Sequence, residues 1–187
     1  FQQLDGISQR AVIARLLTTV AETLASKETA VTPDGIPLIP EDLKVINQAK
    51  VFQIVVNNLL FRDANLGLSA SDRLRFLRQF AVHLQNPSRD FFATPNQVRE
   101  LVRRLFDSAL RRTDAPEQRL EALYRTCRRH SGLTTEGQYL DTSGNIDAPV
   151  DELDMDSRVG FSHNSLREYL VADALSTWIT AKESFEE

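Results

Sequence analysis

A histidine, His163, stands inside the run Phe161-Ser162-His163-Asn164-Ser165-Leu166-Arg167-Glu168-Tyr169-Leu170-Val171-Ala172, where a short apolar stretch gives way to a helical pattern. Imidazole is the side chain whose charge changes near neutral pH. At the start of a helix it sits beside free backbone N–H groups and the positive end of the helix dipole. Such a place favours an anion, and the ring can donate a further hydrogen bond to a phosphate. The same ring can instead bond a neighbouring carbonyl, so its position alone leaves both roles open.

Other reactive residue types are scattered without a chemical pattern. His83, His130 and His163 share no spacing with carboxylates or with Cys127 that would make a nucleophile or a metal site. Asp147, Asp151, Asp154 and Asp156 lie in a turn-rich stretch that lacks the glycine and terminal glutamate of a calcium loop. Arg119, Arg125, Arg128 and Arg129 recur along the run from Pro116 to His130. Arginines at that spacing form either a basic face for a partner's phosphates or an ordinary solvated or interdomain face.

The elements that must position these groups are mostly helical. Val12, Leu16, Val20 and Leu24 predict a helix over Ser8 to Ser26, and the prolines around Asp34-Gly35 predict a loop with room for a small extended turn. A core helix follows from about Glu41 to Arg62. Ser69 or Ser71 caps the next, whose stripe is Leu74, Leu77, Ala81 and Leu84 and whose Arg73, Arg75 and Arg78 point to solvent. Two capping boxes, Thr94 to Gln97 and Asp114 to Glu117, open helices carrying Val98, Leu101, Val102, Leu105 and Ala109, and Leu120, Leu123, Tyr124 and Cys127.

Gly132-Leu133 reads as a helix stop, Gln138-Tyr139-Leu140 as a short strand, and Arg158 to Phe161 as its partner beyond a long acidic loop. Leu166, Leu170, Ala174 and Trp178, flanked by Tyr169 and Ala172, predict a final amphipathic helix. This order is that of a mainly α protein: a helical bundle followed by a winged-helix module with a short two-stranded wing and a C-terminal helix. The boundary falls near Gly67, giving parts 1–67 and 68–187.

Composition narrows the class. The 187 residues are 42% hydrophobic and 26% charged, which supports a globular core, and the net charge of -4 gives no general attraction to nucleic acid or acidic membranes. Charge is unevenly spread, with 13 Arg against 7 acids from Ser71 to His130, and 7 acids and no base from Glu136 to Asp156. One cysteine precludes an internal disulfide and points to a reducing, cytoplasmic setting. No run is apolar enough to span a bilayer. The chain begins at Phe1 rather than Met, as a piece of a longer protein would.

The segment around His163 resembles the F-x-H-x-S-[FL]-x-E-Y-[LF]-x-A signature that ends the winged helix of NACHT ATPases, which belong to the STAND class of nucleotide-switched signalling proteins. Phe161, His163, Ser165, Leu166, Glu168, Tyr169, Leu170 and Ala172 fall in register. Asn57 to Asp63, Leu68 to Leu77, Phe80-Ala81 and Ser131-Gly132-Leu133 are similar to further NACHT stretches, so the likeness spans about residues 50 to 175.

The resemblance implies that His163 contacts the nucleotide phosphates in the closed, ADP-loaded state. It implies ADP or ATP with Mg for the parent protein, an upstream nucleotide-binding domain as partner, a homo-oligomer on activation, and work in defence or innate-immune signalling. Glu168, Tyr169 and Ala172 are read as packing and local hydrogen bonding. The chain itself has no G-x-x-x-x-G-K-[ST] phosphate loop and so is not an enzyme by this reading. Near Ile7-Ser8-Gln9-Arg10 it lacks the Gly-x-Pro element of the family. The alternative is a DNA-binding winged helix using the Arg-rich helix 116–130; the net charge and the acidic wing loop argue against it.

Overall fold

The computed structural model describes residues 18, 21–22, 25, 31, 35–39, 47–63, 67–85, 91–130, 132–135 and 157–183. The chain divides into two compact units, Phe1–Ala64 and Asn65–Glu187. In the first, helix α1 (Gln48–Arg62) is opened by Asn47, whose side chain accepts from the Lys50 N–H at 3.0 Å. It buries Phe52, Ile54, Val55, Val56 and Leu60. Asn57 donates through Nδ2 to the Pro37 carbonyl at 2.7 Å, tying α1 to a segment in which Val31 and Pro37 form an isolated antiparallel bridge. That bridge is the small extended turn expected among the prolines. Thr18, Ala21, Glu22 and Ala25 are helical, while the rest of the expected first helix, residues 41–46, the expected strand at 138–140 and the acidic stretch 141–156 lie outside the described residues.

The second unit runs α2 (Ala70–Leu84), β1 (Phe92–Ala93), α3 (Pro95–Leu105), α4 (Asp107–Leu110), α5 (Pro116–Arg128), β2 (Leu133–Thr135), β3 (Val159–Phe161) and α6 (Asn164–Glu183). It is a winged helix with an added C-terminal helix. The sheet has three strands in the order β1-β3-β2, both pairings antiparallel. The sequence reading places the wing's first strand at 138–140, whereas the strand that pairs with β3 on that edge is β2 at Leu133–Thr135, immediately after the Gly132 stop, and β1 adds a third on the other edge of β3. A two-residue strand has too little periodicity to be legible in sequence.

Local sequence explains most element ends. Ser69 caps α2 by accepting from the Asp72 N–H at 3.0 Å, and its hydroxyl donates to Asp72 Oδ2 at 2.9 Å. Thr94 and Gln97 form the expected reciprocal box at α3, with Pro95 at the first helical position. The second box does not form. Helix α5 begins at Pro116, so the cap position falls to Ala115, which has no side-chain acceptor, and Asp114 lies one residue too early. Helix α3 also ends sooner than its stripe implied. The backbone leaves helical geometry at Phe106 (φ -111°, ψ 18°), and Ala109 is exposed on the short α4.

The core forms between α2 and α6 and around the sheet. Phe76 and Phe80 stack with centroids 5.6 Å apart, and Phe80 meets Phe161 of β3 at 5.4 Å. Leu166, Leu170 and Ala174 supply the buried face of α6. Each fully buried side chain of Leu or Phe size contributes about 1.5–3 kcal/mol. Arg78 bonds Asp173 at 2.7 Å, fixing α2 against α6. On the other side Arg99 pairs with Glu121 at 3.2 Å and lies 4.2 Å from the centre of the Tyr124 ring, joining α3 to α5.

Three readings of surface and core are corrected here. Arg73 is buried, only 3% exposed, rather than solvated. Trp178, placed on the buried stripe of α6, is 47% exposed and lines an open groove that it shares with Arg75, Arg78 and Arg104 as well as Leu105 and Ala174. Glu168 and Ala172 are exposed, while Tyr169 is half-buried.

Gly160, the middle residue of β3, has no room for a side chain: an added Cβ would lie 2.7 Å from the Phe91 carbonyl oxygen and 2.9 Å from Cδ1 of Phe92. The clash includes backbone that the β1–β3 pairing holds in place. Gly160→Ala is expected to lower the stability of the unit by about 1–3 kcal/mol, read from the urea midpoint. Cys127 is buried, and desolvation, with Asp72 adding to it, pushes its thiol up to about 12. It should therefore stay silent to a thiol reagent in the native protein and react at once on unfolding.

Candidate functional site

The joint between β3 and α6 is built from both sides. Phe161 is anchored in the core against Phe80. The next residue, Ser162, is locked to the wing's other strand: its N–H and its hydroxyl both donate to the Gly132 carbonyl, each at 3.1 Å. Gly132 in turn donates its N–H to His130 Nδ1 at 3.2 Å, so the buried His130 shapes the end of α5 rather than forming a site. The chain therefore arrives at His163 with little freedom.

His163 occupies the N-cap position of α6. Its carbonyl accepts from the Leu166 and Arg167 N–H groups at 3.2 and 3.3 Å, and its ring Nδ1 accepts from the Ser165 N–H at 3.2 Å. An imidazole nitrogen that accepts must be unprotonated, so the neutral ring carries its hydrogen on Nε2. The ring is half-buried, and this burial pulls its pKa below 6.5 against the opposing charge of Glu168. The contact that starts the helix thus sets the tautomer, and burial favours the neutral form.

This geometry revises how the helix end can meet an anion. Three of the first N–H groups of α6, those of Ser165, Leu166 and Arg167, bond His163 itself. What the joint offers an approaching phosphate is the ring Nε2–H. The ring's Nδ1 thus meets a backbone N–H rather than the neighbouring carbonyl that is one of its two open roles, since capping needs an acceptor. Behind the joint, Arg167 is buried with its guanidinium 4.6 Å from the centre of the Phe91 ring, which pins the first turns of α6 beside β1.

The four arginines of α5 and its end do not come together as one face. Arg128 is 3% exposed and donates from Nη1 to the Tyr124 hydroxyl at 2.7 Å. Arg125 bonds Glu121 at 3.2 Å, while Arg119 and Arg129 are exposed. A helix presented to DNA needs its cations free and on one side. Among the described residues no group of His, Cys, Asp and Glu could hold a metal ion, and no helix is long and apolar enough to cross a membrane.

Set against known protein families, curated proteins and solved structures, the chain matches none of them.

The capping role of His163 has a pH signature. Its folded pKa lies below 6.5, so the unfolded chain binds this proton more readily than the folded one. The stabilisation is full above about 6.5 and is lost as pH falls towards the folded value. His163→Asn keeps a capping acceptor without titrating and should flatten that part of the stability profile, whereas His163→Ala should cost about 0.5–2 kcal/mol at neutral pH. Urea titrations of the three proteins across this range test both.

Proposed function

We propose that this chain is the C-terminal helical and winged-helix region of a NACHT-type STAND signalling ATPase, and that it couples nucleotide state to the position of the winged helix. The observation that supports this most is the fixed neutral ring of His163, held by Nδ1 and left with Nε2–H as its donor, at the joint that matches the NACHT signature. In this reading the ring donates to a phosphate of ADP bound by the upstream domain and holds the closed state. The parent is cytoplasmic, binds ADP or ATP with Mg through its own phosphate loop, and oligomerises when the latch is released.

The mechanics follow from how the joint is fastened. Ser162 ties His163 to β2, and Phe161 ties it to α2. A force at the ring therefore moves the wing, α2 and α6 as one body, which is what rigid-body switching requires. One hydrogen bond to a charged group contributes about 1.5–3 kcal/mol, enough to shift a two-state population by about ten- to a hundred-fold.

The test must separate latch from cap. In the full-length parent, His163→Asp keeps an N-cap acceptor but repels phosphate. It should leave the unfolding midpoint near that of the wild type while reducing co-purified ADP and raising basal signalling by about ten-fold or more. ADP content measured after purification decides: a variant that retains ADP as the wild type does removes the latch.

A further inference from the structure

Helices α2, α3 and α6 enclose an open groove of about 400 Å³ whose lining includes Arg75 and Arg78 of α2, Arg104 of α3, and Thr177 and Trp178 of α6. Three guanidinium groups share it. Arg78 is held by Asp173 at 2.7 Å, whereas Arg75 and Arg104 are exposed. The groove thus has a surplus of positive charge over one carboxylate, next to the only tryptophan of the chain.

Trp178 belongs to a second feature as well. With Leu175 (46% exposed) and Ile179 (60%), it forms an apolar strip at helical spacing along the outer side of α6. These are three of the six large apolar side chains that are exposed among the described residues, and they fall within five consecutive positions. On a helical wheel Trp178 lies between Ala174 and Thr177, which line the groove, and Leu175 and Ile179, which do not. It is the shared edge of a basic groove and an apolar strip.

We infer that this surface docks an acidic amphipathic segment of a partner protein, with its carboxylates on Arg75 and Arg104 and its apolar face over Trp178, Leu175 and Ile179. Charge complementarity selects the occupant. A nucleic acid would use the arginines but find nothing for its phosphates on Leu175 and Ile179, and a purely apolar partner would bury two guanidiniums without counter-charge. A helix carrying acids along one side and apolar residues along the other satisfies both halves at once. Tryptophan and arginine together are also the side chains that concentrate binding energy at protein interfaces. The surface uses α2, α3 and the part of α6 from Ala174 onward rather than the first turn that His163 caps, so the inference stands apart from the nucleotide reading.

The single tryptophan makes the test direct. A synthetic helical peptide with glutamates along one side and leucines along the other, titrated into the protein, should shift Trp178 emission to the blue in a saturable way. A version with lysine in place of each glutamate should give no shift. Arg75→Glu combined with Arg104→Glu should weaken the acidic peptide by at least about ten-fold. Leu175→Ser with Ile179→Ser should weaken it as well; all four residues are exposed, so unchanged urea midpoints certify the fold. Equal binding of the lysine peptide, no emission change with the acidic one, or tighter binding of tripolyphosphate or a DNA duplex would each overturn the inference.

Discussion

The second unit depends on one three-residue strand. Val159, Gly160 and Phe161 are all buried, and β3 pairs with β1 on one edge and β2 on the other. Its side chains reach the helical layer through Phe161 on Phe80, and its end is tied by Ser162 to Gly132. Every element of the wing is therefore positioned relative to β3. The close approach of β1, which leaves Gly160 no space for a Cβ, is the steric condition for that arrangement. Phe91, just before β1, also lies against the guanidinium of the buried Arg167 at the base of α6.

The same strand determines what His163 can be. A residue delivered by a rigid strand to the first turn of a helix must satisfy the helix first, and an imidazole does so through a ring nitrogen. That use fixes the tautomer, keeps the ring neutral and consumes N–H groups that a bare helix end would have offered to an anion. The capping role and the proposed latch are compatible because imidazole has two nitrogens with separate tasks. Serine or aspartate could start the helix, but neither would leave an N–H donor facing away from it.

The arginines show why composition is a poor guide to a basic surface. The excess of Arg between Ser71 and His130 disperses into distinct local roles once the chain folds. Arg73 and Arg128 are buried, Arg99 lies over Tyr124 and pairs with Glu121, and Arg78 joins α2 to α6. Only some, including Arg75, Arg104, Arg119 and Arg129, remain exposed. Guanidinium groups tolerate this because they stack, fork and reach solvent along an apolar stem.

By itself the sequence determined the mainly α, winged-helix order and the starts of α2 and α3. Periodicity and capping are local properties carried by residues three or four apart, as with Ser69, Thr94 and Gln97. Where two local signals competed, as when Pro116 displaced Asp114 from the cap position, position within the first turn decided and the pattern alone misled. Only the tertiary structure could decide the third strand, the burial of Arg73 and Arg128, the exposure of Trp178 and the acceptor role of the His163 ring. The first three depend on which residue a distant part of the chain places opposite, which no spacing along one segment records; the ring's contact with the Ser165 N–H is local, but it needs β3 to deliver His163 to the first turn of α6.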